Sequence, residues 1–229
     1  HRMGTVFETF LKQGRTTTLA DIAAFEGSAN PIHDPDSNPV GLVRSGAGYL
    51  VADAGGNTIL RTGRGGSVSL VATLADGPAV ANPFAPPGVM VQPQAVPTAV
   101  ALGPDGATYV SQLTGFPFPV GGSSIWRIAA DGTLSQWASG FTNVTDLTVG
   151  PDGSLYAVEL ATTGLLAVPP GQLAQGSLWK ISPNGTKSLV AGGLPMPYGV
   201  AIDEAGHTAY VTLFSGAPHA GAVAKIALG

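Results

Sequence analysis

The sequence predicts an all-β chain built from repeats of a four-stranded antiparallel unit, and three observations carry that expectation. The stretch VGPDGSLYAV at 149–158 reads as strand, tight turn, strand, and LGPDGATYV at 102–110 is its near-copy. Four segments align on one anchor position: Leu50 in GYLVAD, Tyr109 in ATYVSQ, Tyr156 in SLYAVE and Tyr210 in TAYVTL. Each anchor follows a small apolar run and a Gly-containing turn, and each precedes a third run, NTILRT, SSIWRI, GSLWKI or GAVAKI. A unit of this size, recurring about every 40–50 residues without helical periodicity, is the pattern of a β-propeller blade. A β-sandwich would not explain four copies in one order.

The elements follow in chain order. GTVFETFLKQGRTTTLADI at 4–22 matches GSLWKISPNGTKSLVAGGL at 176–194, the third and fourth strands of a blade, so the chain begins mid-blade. Blades are expected at 4–22 (outer two strands), 38–75, 96–140, 143–194 and 196–229, within a single domain spanning 1–229. Asp-Gly and Asn-Gly supply the positive φ values of two-residue hairpins, and the preceding Pro pre-sets its own φ. Alternating Val, Leu, Ile and Tyr fit a pleated sheet packed on both faces. Fourth strands follow in GGSVSLVATL, DGTLSQWAS and NGTKSLVAG, whereas GAVAKIALG stops after a third. That makes a little over four blades, where a ring of this repeat type needs about six to close without exposed edges. The expectation is a six-bladed propeller lacking its N-terminal blades, which are cleaved, disordered or supplied by another chain, unless the material closes as a smaller ring. The start at His1-Arg2-Met3 shows neither an intact signal peptide nor a plain initiator Met.

Composition narrows the function classes. Hydrophobic residues make up 44% and charged residues 10% of the 229 positions, against about 25% charged in ordinary soluble domains. The net charge is −4 and the ten Lys and Arg residues are scattered, so there is no basic stripe for nucleic acid. No cysteine is present, which excludes disulfides and thiolate chemistry. Pro or Gly interrupts every apolar run before it reaches membrane-span length.

Candidate chemistry concentrates at the ends of inner strands. Three positions after each anchor stand Asp53, Gln112, Glu159 and Leu213, three of them polar in a chain poor in charge. First strands add Asp36, Asn38, Thr98, Asn143, Asp146 and Tyr198. Propellers bind ligands at the mouth of the central channel, so Asp53, Gln112, Asn143, Asp146, Glu159 and Tyr198 are the channel-mouth candidates. Oxygen ligands converging on a ring, from Asp53, Asn143, Asp146 and Glu159, would suit Ca²⁺. The competing role for such Asp and Asn side chains is to cap turns and satisfy strand-end amides. Asp146 and Glu159 stand out because they lie inside apolar strands.

The other patterns are thin. His1, His33, His207 and His219 are isolated, without metal-ligand spacing. Ser215-Gly216 has no nucleophile-elbow context, and the glycines of GRGG at 63–66 and ADAGG at 52–56 precede no helix. The inserts at 74–97 and 113–124 carry Phe84, Met90, Phe116 and Phe118 among prolines, an apolar rim suited to a partner or a hydrophobic small molecule. Asn143-Val144-Thr145 and Asn184-Gly185-Thr186 match the glycosylation acceptor pattern.

The order DIAAFEGSANPIHDPDSNPVG, LVADAGGNTILR, VPTAVALGPDGATYVSQLTGFPFPVGGSSIWRI and GFTNVTDLTVGPDGSLYAVE resembles the ScyD/ScyE family of propellers, over nearly the whole chain from Gly4 to Ile226. That family sits in the six-bladed NHL-like superfamily. The resemblance implies an extracellular or periplasmic protein with a signal peptide and about two further blades ahead of His1, and it implies little about activity. The lactonases and gluconolactonases of similar fold hold a metal through Glu, Asn and Asp in the channel. Their PNG strand start stands here as Pro197-Tyr198-Gly199, and tyrosine does not replace the amide ligand.

Three functions are therefore weighed. The first is a scaffold binding a small molecule, polysaccharide or protein at the channel mouth and Pro/Phe loops. The second is a Ca²⁺-dependent hydrolase of the lactonase type. The third is one fragment of a nicked propeller held by its other chain.

Overall fold

The computed structural model describes residues 4–33 and 35–229. His1, Arg2, Met3 and Asp34 lie outside the described residues, so the reading of the chain start and of His1 has no structural counterpart.

Strands β1 (Thr5–Phe10) and β2 (Arg15–Asp21) pair antiparallel as a two-stranded first blade. The second blade contains β3 (Pro39–Ser45), β4 (Gly48–Asp53), β5 (Thr58–Thr62) and β6 (Val68–Thr73) in sequential order. A small hairpin, β7 (Val80–Ala81) with β8 (Met90–Val91), rises from the connection that follows. The third blade is β9 (Pro97–Leu102), β10 (Thr108–Gln112), β11 (Ser123–Ile128) and β12 (Leu134–Phe141). The fourth is β13 (Val144–Val149), β14 (Leu155–Glu159), β15 (Gln175–Ile181) and β16 (Lys187–Pro195). The fifth has β17 (Val200–Ile202), β18 (Thr208–Leu213) and β19 (Ala222–Ala227).

All four anchors fall in second strands, and the GPDG turns join first strands to second. Two elements depart from the strand reading. Residues 22–29, within the stretch between the first two blades, form a short helix, α1 (Ile22–Ala29). Asp21 caps it by accepting from the Ala24 amide at 2.9 Å. The β7–β8 hairpin lies in the Pro-rich insert, where proline density hid two-residue strands.

Period-2 alternation explains how the blades stack. In β4, Leu50 and Ala52 enter the core shared with the third blade, while Val51 enters the core shared with the first. Val110 points back to the second blade and Tyr109 forward to the fourth. Tyr156 and Val158 pack toward the fifth blade and Ala157 toward the third. The sequence therefore needs apolar side chains at successive second-strand positions, because both faces of each inner blade are covered. Tyr210 occupies the same register on the fifth blade and is exposed, as is Val223.

First strands β3, β9, β13 and β17 are neighbours in turn around a common channel. Thr98 Oγ1 donates to the Val144 carbonyl at 2.9 Å and Thr145 Oγ1 to the Tyr198 carbonyl at 2.7 Å. Gly41 sits so close to the third blade that a Cβ there would lie 2.7 Å from the Thr98 carbonyl oxygen. Because the strands alternate in direction, the second-to-third and fourth-to-first connections share one end of the molecule, called here the upper face. The GPDG turns lie at the other end.

Candidate functional site

The polar residues ending the second strands are spent within their own blades. Asp53 is buried. Its Oδ2 accepts from Ser37 Oγ at 2.7 Å, and its Oδ1 from the amides of Asn38, Gly55 and Gly56 at 2.7, 3.0 and 3.1 Å. Gln112 Oε1 accepts the Trp126 indole N–H at 2.6 Å. Glu159, 4% exposed, accepts from the Thr142 amide at 2.6 Å, the Trp179 indole at 2.7 Å and the Ser177 hydroxyl. These side chains latch the end of the second strand to the third strand or to the residue entering the first. The latch explains a pattern in the repeats. Trp126 and Trp179 stand where the long acceptors Gln112 and Glu159 can reach them; in the blades of Asp53 and Leu213 the equivalent residues are Leu60 and Ala224.

The channel itself, about 370 Å³, is lined by 41–43, 99–102, 146–149 and Val200. At the matching position of successive first strands stand Gly41, Ala99, Asp146 and Gly199, so the carboxyl of Asp146 is the one titratable side chain on the described channel wall. Its Oδ2 accepts from the Val200 amide and its Oδ1 from the Leu147 amide, both at 2.8 Å. Burial pushes the Asp146 carboxyl above its ordinary range, against the opposing pull of those two amides. It joins the fourth blade to the fifth.

Asp53, Asn143, Asp146 and Glu159 do not assemble into a cation site. Asn143 is 1% exposed; its Oδ1 accepts the Leu165 amide at 3.2 Å and its Nδ2 faces the Leu113 carbonyl at 3.5 Å. Among the described residues no group of three His, Asp or Glu side chains could hold a metal ion. A hard cation wanting six to eight oxygens would have to displace the internal amide bonds of each candidate, so these residues do not fit the lactonase metal. Burial also leaves no room for a sugar on Asn143, whereas Asn184 is exposed in its turn, with Oδ1 accepting the Thr186 amide at 3.0 Å. Tyr198 is half out in solvent; it serves the fold through its backbone, as the Thr145 acceptor. His33, His207 and His219 remain apart from one another in loops.

The loop residues do converge. Phe84 stacks on Phe116 with centroids 5.7 Å apart, and Phe116 meets Phe118 edge-on at 6.4 Å. Beside them lies an upper-face groove of about 350 Å³, walled by Val80, Ala81 and Pro83 together with 117–120, 163–164 and 166–167, from three different inserts. Val120 and Leu166, which the sequence did not single out, are its exposed apolar lips, Val120 at 66%. Two buried asparagines with positive φ, Asn57 and Asn143, brace the surrounding chain. Asn57 Oδ1 accepts the Val96 amide at 2.8 Å, and Asn143 holds Leu165 as above. Thr142 Oγ1 accepts the Gly121 amide at 3.0 Å.

At the lower face, Asp105 pairs with Arg127 at 2.7 Å and Asp152 with Lys180 at 2.8 Å. Burial raises the Asp105 carboxyl, but Arg127, the Ala107 amide and Tyr109 outweigh it and hold it below its ordinary value. The GPDG aspartates thus pin each hairpin to the third strand as well as shaping the turn.

Solved structures share this architecture at low identity. The chain is similar to one in the crystal structure of a nidogen/laminin complex, with TM-score 0.60 and 14% identity over 96% of this chain and 74% of that one. The fold is a β-propeller. A structural-genomics protein of unknown function from Bacteroides thetaiotaomicron also reaches TM-score 0.60, at 17% identity over 97% of this chain and 53% of its own. A gluconolactonase from Xanthomonas campestris reaches 0.51 at 19% identity, over 80% and 55% of the two chains. This propeller thus spans about half the length of those two and three quarters of the first. No protein-family model and no curated protein sequence matches the chain. Among the described residues, no helix is long and apolar enough to cross a membrane.

Proposed function

We propose that this propeller is a binding scaffold whose working surface is the upper face, where the Pro/Phe loops meet. The observation that carries the reading is the convergence of three separate inserts on one braced apolar groove. Loops held by a rigid sheet scaffold are where binding surfaces are built, and exposed apolar side chains grouped in a concavity mark such surfaces. The reading extends to a secreted ScyD/ScyE-like protein working outside the cytoplasm, in keeping with the motif order from DSNP to LTGFPFP.

Binding assays on the wild type and on Val120→Asp and Leu166→Asp variants test the reading, using small molecules, polysaccharides and immobilised proteins as ligands. The expected result is a ligand whose binding both variants weaken. Ligands that ignore both substitutions but respond to Asp146→Asn would move the function to the channel. There the second reading, a hydrolase like the similar gluconolactonase, would have Asp146 as its one channel carboxyl.

A further inference from the structure

The upper-face groove also specifies the chemistry of what it holds. Its walls carry no charged side chain, and the hydroxyl of Thr163 is the one polar side-chain group among its lining residues. Three lining residues, Pro83, Pro117 and Pro119, have no N–H to offer. The amides of Phe118, Gly164 and Ala167 are already given to the carbonyls of Gly115, Ala161 and Gly164, at 2.8, 3.0 and 3.1 Å. An ionised group seated against these walls would give up water contacts and find no charged side-chain partner in return.

The groove is also set before any ligand arrives. Gly164, at φ +81°, lies so near the neighbouring insert that a Cβ would meet the Phe118 carbonyl oxygen at 2.9 Å. The inserts of the third and fourth blades therefore touch through backbone, and a preformed site loses little entropy on binding. At about 350 Å³ it falls in the ~300–1,000 Å³ range of small-molecule sites, whereas a stable protein partner covers about 800 Å² on each side.

We propose that this groove binds an uncharged, apolar small molecule, an inference that rests on the upper face being the binding face. The matched probes are N-phenyl-1-naphthylamine, which is neutral, and its sulfonated relative 8-anilinonaphthalene-1-sulfonate, both followed by fluorescence. The neutral probe should saturate one site. The sulfonate should bind at least about tenfold more weakly, and Val120→Asp and Leu166→Asp should each weaken the neutral probe by at least about tenfold, which is about 1.4 kcal/mol. Leu189→Asp, on an exposed position of β16, should change nothing. Circular dichroism melts verify folding, and Val120→Ser provides a milder variant with a smaller loss in the same direction.

Absence of saturable binding, equal affinity for the sulfonate, or indifference to both groove variants overturns the proposal. So does a dimer in sedimentation that Val120→Asp dissolves, since a second copy would then be the occupant. If the neutral probe fails while a polysaccharide or protein binds and is lost in the groove variants, only the ligand class falls. If nothing that binds responds to those variants, the upper-face reading falls with it.

Discussion

Replacing Glu159 with alanine separates a blade latch from a channel ligand. The substitution leaves the Thr142 amide, the Ser177 hydroxyl and the Trp179 indole without their acceptor. A buried donor left unpaired costs about 1–3 kcal/mol. The half-buried Trp179 indole can reach water, whereas the Thr142 amide and the Ser177 hydroxyl are both buried. The working figure is about 3 kcal/mol, before any loss of packing. For a chain of this size each kcal/mol moves the melting midpoint by about 2–4 °C, giving a drop of about 6–12 °C. Glu159→Gln keeps one oxygen acceptor and should fall between the two. Thermal melts by circular dichroism read the midpoint, and tryptophan emission should shift to the red as the Trp179 indole is released. A Glu159→Ala protein melting within about 2 °C of the wild type, with unchanged emission, would refute the latch.

Other outcomes follow from the same geometry. Trp126→Phe strands Gln112 Oε1, so it should cost about 1–3 kcal/mol in the same melts, while Leu60→Phe in the blade without the long acceptor breaks no such bond. Burial holds the Asp146 carboxyl above its ordinary value of 3.8, so the folded chain binds that proton more tightly than the unfolded chain. The resulting stabilisation is present at low pH and lost as pH rises through the raised value. The melting midpoint of wild type minus that of Asp146→Asn should therefore fall as pH rises from the ordinary carboxyl range through the raised value; a constant or rising difference would contradict it. Gly164→Ala puts an L residue at φ +81° against the Phe118 carbonyl, which should cost about 1–2 kcal/mol and weaken the neutral probe. Lys180→Ala, by contrast, breaks a surface pair and should move stability by about 1 kcal/mol or less.

The strands were legible because propeller packing writes itself in period 2. Leu50, Tyr109 and Tyr156 are large, apolar and equally placed because each faces a neighbouring blade. GPDG marked its hairpins because φ > 0 at Gly106 and Gly153 demands glycine. The helix at Ile22–Ala29 was not legible: eight residues are too few to show a stripe, and its Asp21 cap is also the last residue of a strand. The polar ring of Asp53, Gln112 and Glu159 was visible as a pattern, but its direction was not. Channel mouth and blade interior differ by which donors lie nearby, and those donors, Ser37, Asn38, Trp126 and Trp179, come from other strands and turns. Their clue was the joint occurrence of Trp with a long acceptor in the same two repeats. The groove was half legible. Pro and Phe density drew attention to Phe84, Phe116 and Phe118, whereas Val120 and Leu166 gain meaning only when inserts distant in sequence meet.

The most direct test of whether the second-strand acids serve the fold, leaving the groove as the binding element, is calorimetric titration of the purified protein with Ca²⁺. The expected trace shows no stoichiometric binding, because Asp53, Asn143 and Glu159 already spend their oxygens on internal donors. One ion bound per chain, lost on Glu159→Gln or Asp146→Asn with folding intact, would contradict it.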